Sequence, residues 1–364
     1  MNNEFAYWIT ISQLSGWRIR SINDLIIKTI HEKNLSWSDF FALNGSDYKN
    51  DFGLSEKEVN DLLNAKKEIP NNSFLAEDLM SQGYELIPIN SPDCSETLKE
   101  NLKRNAPPLL YLKGNRQLLK EDSIAIVGSR DASDIALKFT DNIAKIASRQ
   151  YKVVVSGFAK GVDKQALDST IKYTGHSIIV LPQGILTFST GFKKYYKQIV
   201  DGDVLVLSVF HPKAVWNTGL AMARNPIIYG LAESIYVAQS NDTGGTWSGV
   251  IDGLGKGRKI YVRCPEDNEK YANKLLIEKG AIPVDFDGYV LEYYAQKADN
   301  IDKEKVLDIL KFDELTSEQI IDKLKLNVSA KELDILLQKD KDLEIAGKRP
   351  YRYKLRMQPA LFAE

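Results

Sequence analysis

Apolar and polar positions follow two different periods along the middle of the chain, and the stretch 123–163 sets the pattern. The segment SIAIV over 123–127 is a short, mostly apolar run that stops at Gly128-Ser129-Arg130. A second such run, Tyr151 to Val155, stops at Ser156-Gly157. Between them Ile135, Ala136, Phe139, Ile143, Ile146 and Ala147 return at helical spacing. Continuous apolar strands around an amphipathic helix predict a parallel βαβ unit buried on both faces. Each strand ends in small residues at its carboxyl end, where open α/β sheets hold ligands. Glycine there lets a backbone approach closely, and a following helix start offers free N–H groups to an anion.

The alternation continues in both directions. Downstream, helices are predicted over 164–172, 193–200 and 221–231, the last with Pro226 near its first turn or kinking it. Strands are predicted over 177–181, 204–209, 234–239 and 259–262. A polar, glycine-rich turn, Asn241 to Trp247, leads into a helix reaching Leu254. Upstream, a helix ending at Gly83 and strands over 84–89 and 109–112 extend the same sheet. The pattern predicts an α/β fold: a Rossmann-like, doubly wound, mainly parallel sheet over 74–290. Gly128 stands alone after its strand, without the GxGxxG fingerprint or an acidic ribose partner, so a nicotinamide dehydrogenase is excluded.

Two flanking regions read differently. Residues 1–69 form short capped helices, with Ser55 and Glu58 as a capping box, in a small helical domain like a SAM or helix-hairpin-helix module. That domain is read either as a packing or interaction module or as a DNA contact. Pro70-Asn71-Asn72-Ser73 reads as a linker. Residues 300–357 give three helices and an alternating hairpin, the pattern of a winged helix. From Lys341 to Arg356 six basic residues stand against two acidic ones, interleaved with Tyr351 and Tyr353. That composition suits phosphate contact, or equally a solvated wing on a protein-docking module.

Composition narrows the function. The 364 residues are 43% hydrophobic and 27% charged with net charge −1, so any nucleic-acid partner is held by a local patch. Cys94 and Cys264 fit no metal or redox spacing and read as buried thiols in a reducing compartment, and three histidines argue against a multi-histidine metal site. No apolar run approaches the ~18 residues of a membrane span, and no leader pattern opens the chain. A cytoplasmic protein without membrane contact is expected.

The segments PPLLYLKGN, IAIVGSR, VVVSGFAKGVD, IIVLPQGI, ARNPIIYGLAE and GGTWSGVIDGLGKGRKIYV follow one another from Pro107 to Val262. In that order and spacing they resemble the DprA/Smf family of bacterial DNA-processing proteins. The resemblance implies a Rossmann-like protein that binds single-stranded DNA, dimerises through its core and helps to load a RecA-type recombinase. It implies no enzyme activity and no cofactor. Carried over by residue, Gly128-Ser129-Arg130 matches the family's GSR, whose arginine lies in the DNA-binding pocket. Ser156, Gly157, Gly161 and the Val162-Asp163 that follows match its SG…GID loop. Arg224-Asn225 matches the first half of RNR, and Gly244-Gly245-Thr246 its Ser-Gly-Ser turn.

On this reading Arg130 and Arg224 each fork onto a phosphate, and Ser156, Gly157 and Gly161 present amides to it. Lys160 adds charge and Trp247 stacks a base, while Asp163 caps its helix or holds an arginine. Three positions depart from the family pattern. Pro226 replaces the second motif arginine, Gln239 stands where a glutamate is usual, and the histidine usual after GID is absent from Lys164 to Leu167. They bear on recombinase loading more than on fold, and point to a specialised member such as one serving a mobile element or antiviral defence.

Three functions compete: a single-strand binder in recombination, a sensor of a nucleotide or nucleotide-derived signal in the same crevice, and a phosphoribohydrolase like the LOG enzymes. For the last, no glutamate closely follows the Gly244-Gly245-Thr246 turn and Asp252 is the nearest acid. No nucleophile–base pair or metal set stands out elsewhere.

Overall fold

The computed structural model describes residues 4–266, 269–291, 303–311, 313–326, 330–338, 343–346 and 351–355. It divides into two compact units, Met1–Tyr289 and Val290–Glu364. Among the described residues no helix is long and apolar enough to cross a membrane.

The first unit is built on nine strands: β1 (Glu85–Pro88), β2 (Leu109–Gly114), β3 (Ser123–Val127), β4 (Val153–Ser156), β5 (Ser177–Val180), β6 (Val204–Ser208), β7 (Ser234–Val237), β8 (Lys259–Arg263) and β9 (Ile282–Val284). Their order is β1-β2-β6-β5-β4-β3-β7-β8-β9. β1 and β2 pair antiparallel at one edge, and the seven from β3 to β9 are parallel. Winding runs from β3 through β4 to β6 on one side and through β7 to β9 on the other. The topological switch point therefore lies between β3 and β7, where such sheets open a crevice at their carboxyl ends.

Every residue of β3, β4, β5 and β6 is buried, as continuous apolar runs require. Alternate residues serve opposite faces. Ile124 and Ile126 pack with Phe139 and Ile143 of helix Asp134–Arg149. Ala125 and Val127 pack with Ile227 and Ile228 of helix Thr218–Leu231 and Val250 of helix Gly244–Gly255.

Helices of the first eighty or so residues share a third cluster with the sheet, in which Trp8, Phe40 and Leu79 join Tyr111, Ile179 and Val206. Trp8 and Trp37 meet edge to face at 5.3 Å within it. Pro70–Ser73, read from sequence as a linker, lies inside helix Ile69–Ser81. Proline is accepted in a first turn, where its missing N–H has no intrahelical acceptor. Pro226 differs in the other direction. Its helix starts at Thr218, capped by Asn217, so the proline is interior and leaves the Met222 carbonyl without its usual donor. Helix Glu96–Leu102 and helix Asn273–Glu278 add to the predicted set. Cys94 is buried, whereas Cys264 is half-buried.

Behind β7 and β8, the buried Arg263 guanidinium forks onto Glu269 at 2.7 and 2.5 Å. These charge-assisted bonds hold the Glu269 carboxyl below its ordinary value. A carboxyl depressed on folding stabilises above its unfolded pKa of ~4.3 and stops doing so as pH falls through its folded value. Melting temperature is therefore expected to fall as pH drops below about 4.3, with a shallower fall in Glu269→Gln. Calorimetry across that range is the check.

The second unit has helices Lys303–Leu310, Ser317–Leu324 and Ala330–Leu337 and strands β10 (Leu315–Thr316), β11 (Leu343–Ala346) and β12 (Arg352–Leu355). The strands pair antiparallel in the order β10-β12-β11. Val306, Ile320, Leu333 and Tyr353 lie in its core. Tyr353, read from sequence as interleaved with phosphate-binding charges, points inward instead. Its hydroxyl donates to Asp334 Oδ1 at 2.8 Å. Lys354 is ion-paired with Glu344 at 3.5 Å. Lys341, Lys348, Arg349 and Arg356 lie outside the described residues.

Candidate functional site

At the switch point, the loop after β3, one face of helix Thr218–Leu231 and the first turn of helix Gly244–Gly255 enclose a crevice of about 370 Å³. Nine of the residues singled out from sequence line it: Gly128, Ser129 and Arg130 from the loop, Asp163, Arg224 and Asn225 from two helices, and Gly244, Gly245 and Thr246 from the third. Ser156, Gly157, Lys160, Gly161 and Trp247 stand outside the lining.

The walls are made differently. Thr243 gives no side-chain cap to helix Gly244–Gly255, so the first-turn amides keep their hydrogen-bonding capacity and the positive end of the helix dipole faces the crevice. Arg130 is exposed, and among the described residues its guanidinium makes no hydrogen bond or ion pair. It is an exposed cation on the same crevice as that helix start, and its charge also acts on Asp163 and Arg224.

Arg224 has another role. It is 3% exposed. Its Nη1 donates to the Val180 carbonyl at 3.0 Å, and Nη2 lies 3.9 Å from Asp163 Oδ2. Burial pushes the Asp163 carboxyl up, against the pull of Arg224, the Ala159 amide, Arg130 and the Gly157 amide. Burial likewise pushes the Arg224 guanidinium down. Arg224 is therefore not the exposed phosphate fork expected from the sequence: Nη1 and Nη2 turn to Val180 and Asp163, and Nε is buried without a hydrogen-bond partner. Of the two readings for Asp163, helix cap or arginine partner, the geometry gives the second, since Gly161 occupies the cap position.

The loop 157–161 supports this pair. A Cβ on Gly157 would stand 1.7 Å from Arg224 Nη1, so the guanidinium passes directly beneath a bare backbone. Gly161 has φ +85°, and a Cβ there would lie 2.4 Å from the Ser129 carbonyl and 2.5 Å from that of Arg130. Phe158 adopts φ +75°, unusual for a bulky residue, and is held by edge-on contacts to Phe188 at 4.9 Å and Tyr195 at 5.8 Å. Ser156 turns inward and donates to the Ile126 carbonyl at 2.8 Å. Exposed Lys160 stands 3.7 Å from Asp131. Trp247 packs against the core beneath its helix, with Lys279 Nζ 6.0 Å above its ring, rather than standing free in the crevice to stack a base.

Sequence reasoning passed over Tyr229. It lines the crevice four residues after Asn225, and its hydroxyl donates to the Thr246 carbonyl at 3.5 Å. Continuing the helical step from Arg224-Asn225 to Ile228-Tyr229 would have found it. No group of metal-ligating side chains occurs among the described residues.

Comparison with known proteins places these features in a lineage. The profile of the family described as DNA recombination-mediator protein A matches residues 85–294. DNA processing protein DprA of Streptococcus pneumoniae is 32% identical over 157 residues, which is 43% of this chain and 55% of the relative. The Bacillus subtilis protein of the same name is 29% identical over 206 residues, 55% of this chain and 68% of the relative. The matched region thus spans about half to two-thirds of the length of these relatives. The X-ray structure of the S. pneumoniae protein superposes with a TM-score of 0.63 at 24% identity, over 78% of this chain and 95% of that one, and shares its fold. Because the family match begins at β1, runs past β9 and contains every wall of the crevice, this chain belongs to the DNA recombination-mediator protein A family.

Proposed function

We propose that the chain binds single-stranded DNA and acts as a DNA-processing protein in recombination. The observation that carries the reading is the exposed, unpaired Arg130 facing an uncapped helix start at the switch point of the sheet. A phosphate between them would take charge-assisted bonds from the guanidinium and from first-turn amides. Family membership supports delivery of the strand to a RecA-type recombinase, with the chain working as a homodimer.

We read the site as a binding site rather than a catalytic one. Asp252, the sole acid in helix Gly244–Gly255, is ion-paired with Lys256 at 2.6 Å and lies outside the crevice lining. The acids that line the crevice are both in ion pairs, Asp163 with Arg224 at 3.9 Å and Asp131 with Lys160 at 3.7 Å, whereas a phosphoribohydrolase would need a carboxylate free to meet its substrate.

Arg130→Ala is expected to leave melting within about 0.5 kcal/mol of wild type, as for other exposed positions. Affinity for a labelled single strand should fall roughly tenfold or more, and the salt slope should shrink by about 0.7 for the one lost phosphate contact. Fluorescence anisotropy at two salt concentrations, with single-stranded DNA, duplex DNA and mononucleotides, is the measurement. Unchanged strand affinity in Arg130→Ala would remove the reading. A second reading, a nucleotide sensor, rests on the crevice volume of about 370 Å³, which lies in the ordinary range of small-molecule pockets. Mononucleotide binding without strand binding at low salt would favour it.

A further inference from the structure

Next to the crevice, the carboxyl ends of β5 and β6 carry a shelf whose apolar side chains face water. The loop 209–217 leaves β6 and enters helix Thr218–Leu231. Its backbone is laced to the loop that follows β5. The Gly184 amide donates to the Ala214 carbonyl at 2.8 Å, and the Leu186 amide donates to the Pro212 carbonyl at 3.0 Å. Within the loop the Ala214 amide donates to the His211 carbonyl at 2.8 Å. A Cβ on Gly184 would lie 2.3 Å from the carbonyl oxygens of His211 and Pro212, so the two loops pack backbone to backbone.

On this fixed shelf Val215 is 73% and Trp216 48% exposed. Among the described residues Trp216 joins none of the apolar clusters. Folding therefore gains little from its ring, which remains a large, flat, amphipathic surface on a rigid support. The loop leads straight to the crevice. Thr218, two residues on, lines it, and so does Met222, itself an exposed apolar side chain. Two residues of chain span at most ~7 Å, so the backbone of Trp216 stands within about that distance of the crevice wall. Lys213, exposed and without an ion pair among the described residues, adds a cation to the same loop. A cation beside a bare ring is what a single-strand path needs: charge follows the phosphates and the ring takes a base.

We propose that Trp216 stacks a nucleobase of the strand whose phosphate is held at Arg130, which makes the shelf a second contact outside the crevice. This rests on the strand-binding function proposed above. It places the stacking ring on a different element from Trp247, the tryptophan that the sequence suggested and the core has taken up.

Trp216→Ala is expected to bind a labelled oligothymidylate about tenfold more weakly than wild type, and Trp216→Phe, which keeps a ring, within threefold of it. Trp216→Leu keeps apolar bulk without a ring and should resemble Trp216→Ala. Stacking displaces no counterions, so the salt slope of Trp216→Ala should equal that of wild type, in contrast to Arg130→Ala. Melting should be unchanged, because the ring is exposed. The decisive probe is a strand of the same length and charge built from abasic sugars. It offers phosphates and no base, so wild type and Trp216→Ala should bind it equally.

Trp216→Ala within twofold of wild type on oligothymidylate overturns the proposal. An equal loss on the abasic strand does so too, since the ring would then act by shaping the loop. A sedimentation coefficient that falls in Trp216→Ala without DNA would make the shelf a contact between copies of this chain, and overturns it as well. Wild type that binds no strand at low salt removes the strand-binding function itself. Wild type that binds oligothymidylate, with Trp216→Ala binding as tightly, removes only the stacking site.

Discussion

Arg224→Ala is expected to lower the melting temperature of the first unit by on the order of 10 °C, whereas Arg130→Ala leaves it nearly unchanged. The two arginines line one crevice, but only Arg224 is buried, with Nη1 bonded to Val180, Nη2 paired with Asp163 and its Nε without a hydrogen-bond partner. Removing one member of a buried ion pair strands the other, which costs about 3–5 kcal/mol. For a unit of this size each kcal/mol moves the midpoint by roughly 2–4 °C. The sign with pH follows from Asp163, whose carboxyl is already raised by burial. An acid raised on folding is best tolerated below its unfolded pKa, and its penalty grows as pH rises through the folded value. The deficit of Arg224→Ala relative to wild type should therefore shrink on acidification. Adding Asp163→Asn to Arg224→Met should recover much of the stability, because neither change then leaves a lone buried charge. Paired thermal melts at pH 5 and pH 8 check both statements. A deficit identical at the two pH values would show that cavity formation, not the stranded carboxylate, dominates.

The second large effect is expected at Gly161, a residue outside the crevice lining. Its φ of +85° with ψ −129° is a conformation that side chains resist, and a Cβ would press on two backbone carbonyls, those of Ser129 and Arg130. Strain of this kind costs about 1–3 kcal/mol, and the carbonyl contacts can be relieved only by moving the loop. Gly161→Ala should thus melt several degrees lower and also bind a single strand about tenfold more weakly, through displacement of Arg130. Lys160→Ala is the local control: its exposed ion pair with Asp131 contributes little, so stability should hold. Melting and anisotropy on the same preparations separate the two effects. Loss of stability with strand affinity intact would mean that the approach of the two loops does not set the arginine's position.

Much of the frame was legible in the sequence because its signals are local. The apolar runs at 123–127 and 204–208 became fully buried strands, and the periodic residues of 135–147 became one face of a helix. Ser55 with Glu58 caps a helix through bonds that span three residues. The glycine-rich ends of the strands marked the crevice, and Gly128, Arg130, Asn225 and Gly245 meet there.

Chain order by itself determined the Rossmann-like, mainly parallel sheet and the small residues at the ends of its strands, since strand period and turn chemistry act over short separations. Only the tertiary structure decided which side chains face the crevice. Arg130 and Arg224 look alike in sequence, yet one lies in solvent and the other passes beneath Gly157 to a carboxylate on a different helix. Trp247 was expected to stack a base and Tyr353 to stand among phosphate-binding charges, and packing turned both toward cores. Gln239 stood out in sequence as a departure, and only the fold brought it into hydrogen bonds with a loop more than a hundred residues earlier. Burial and partnership depend on which distant segments the fold brings together, and no local pattern carries that information.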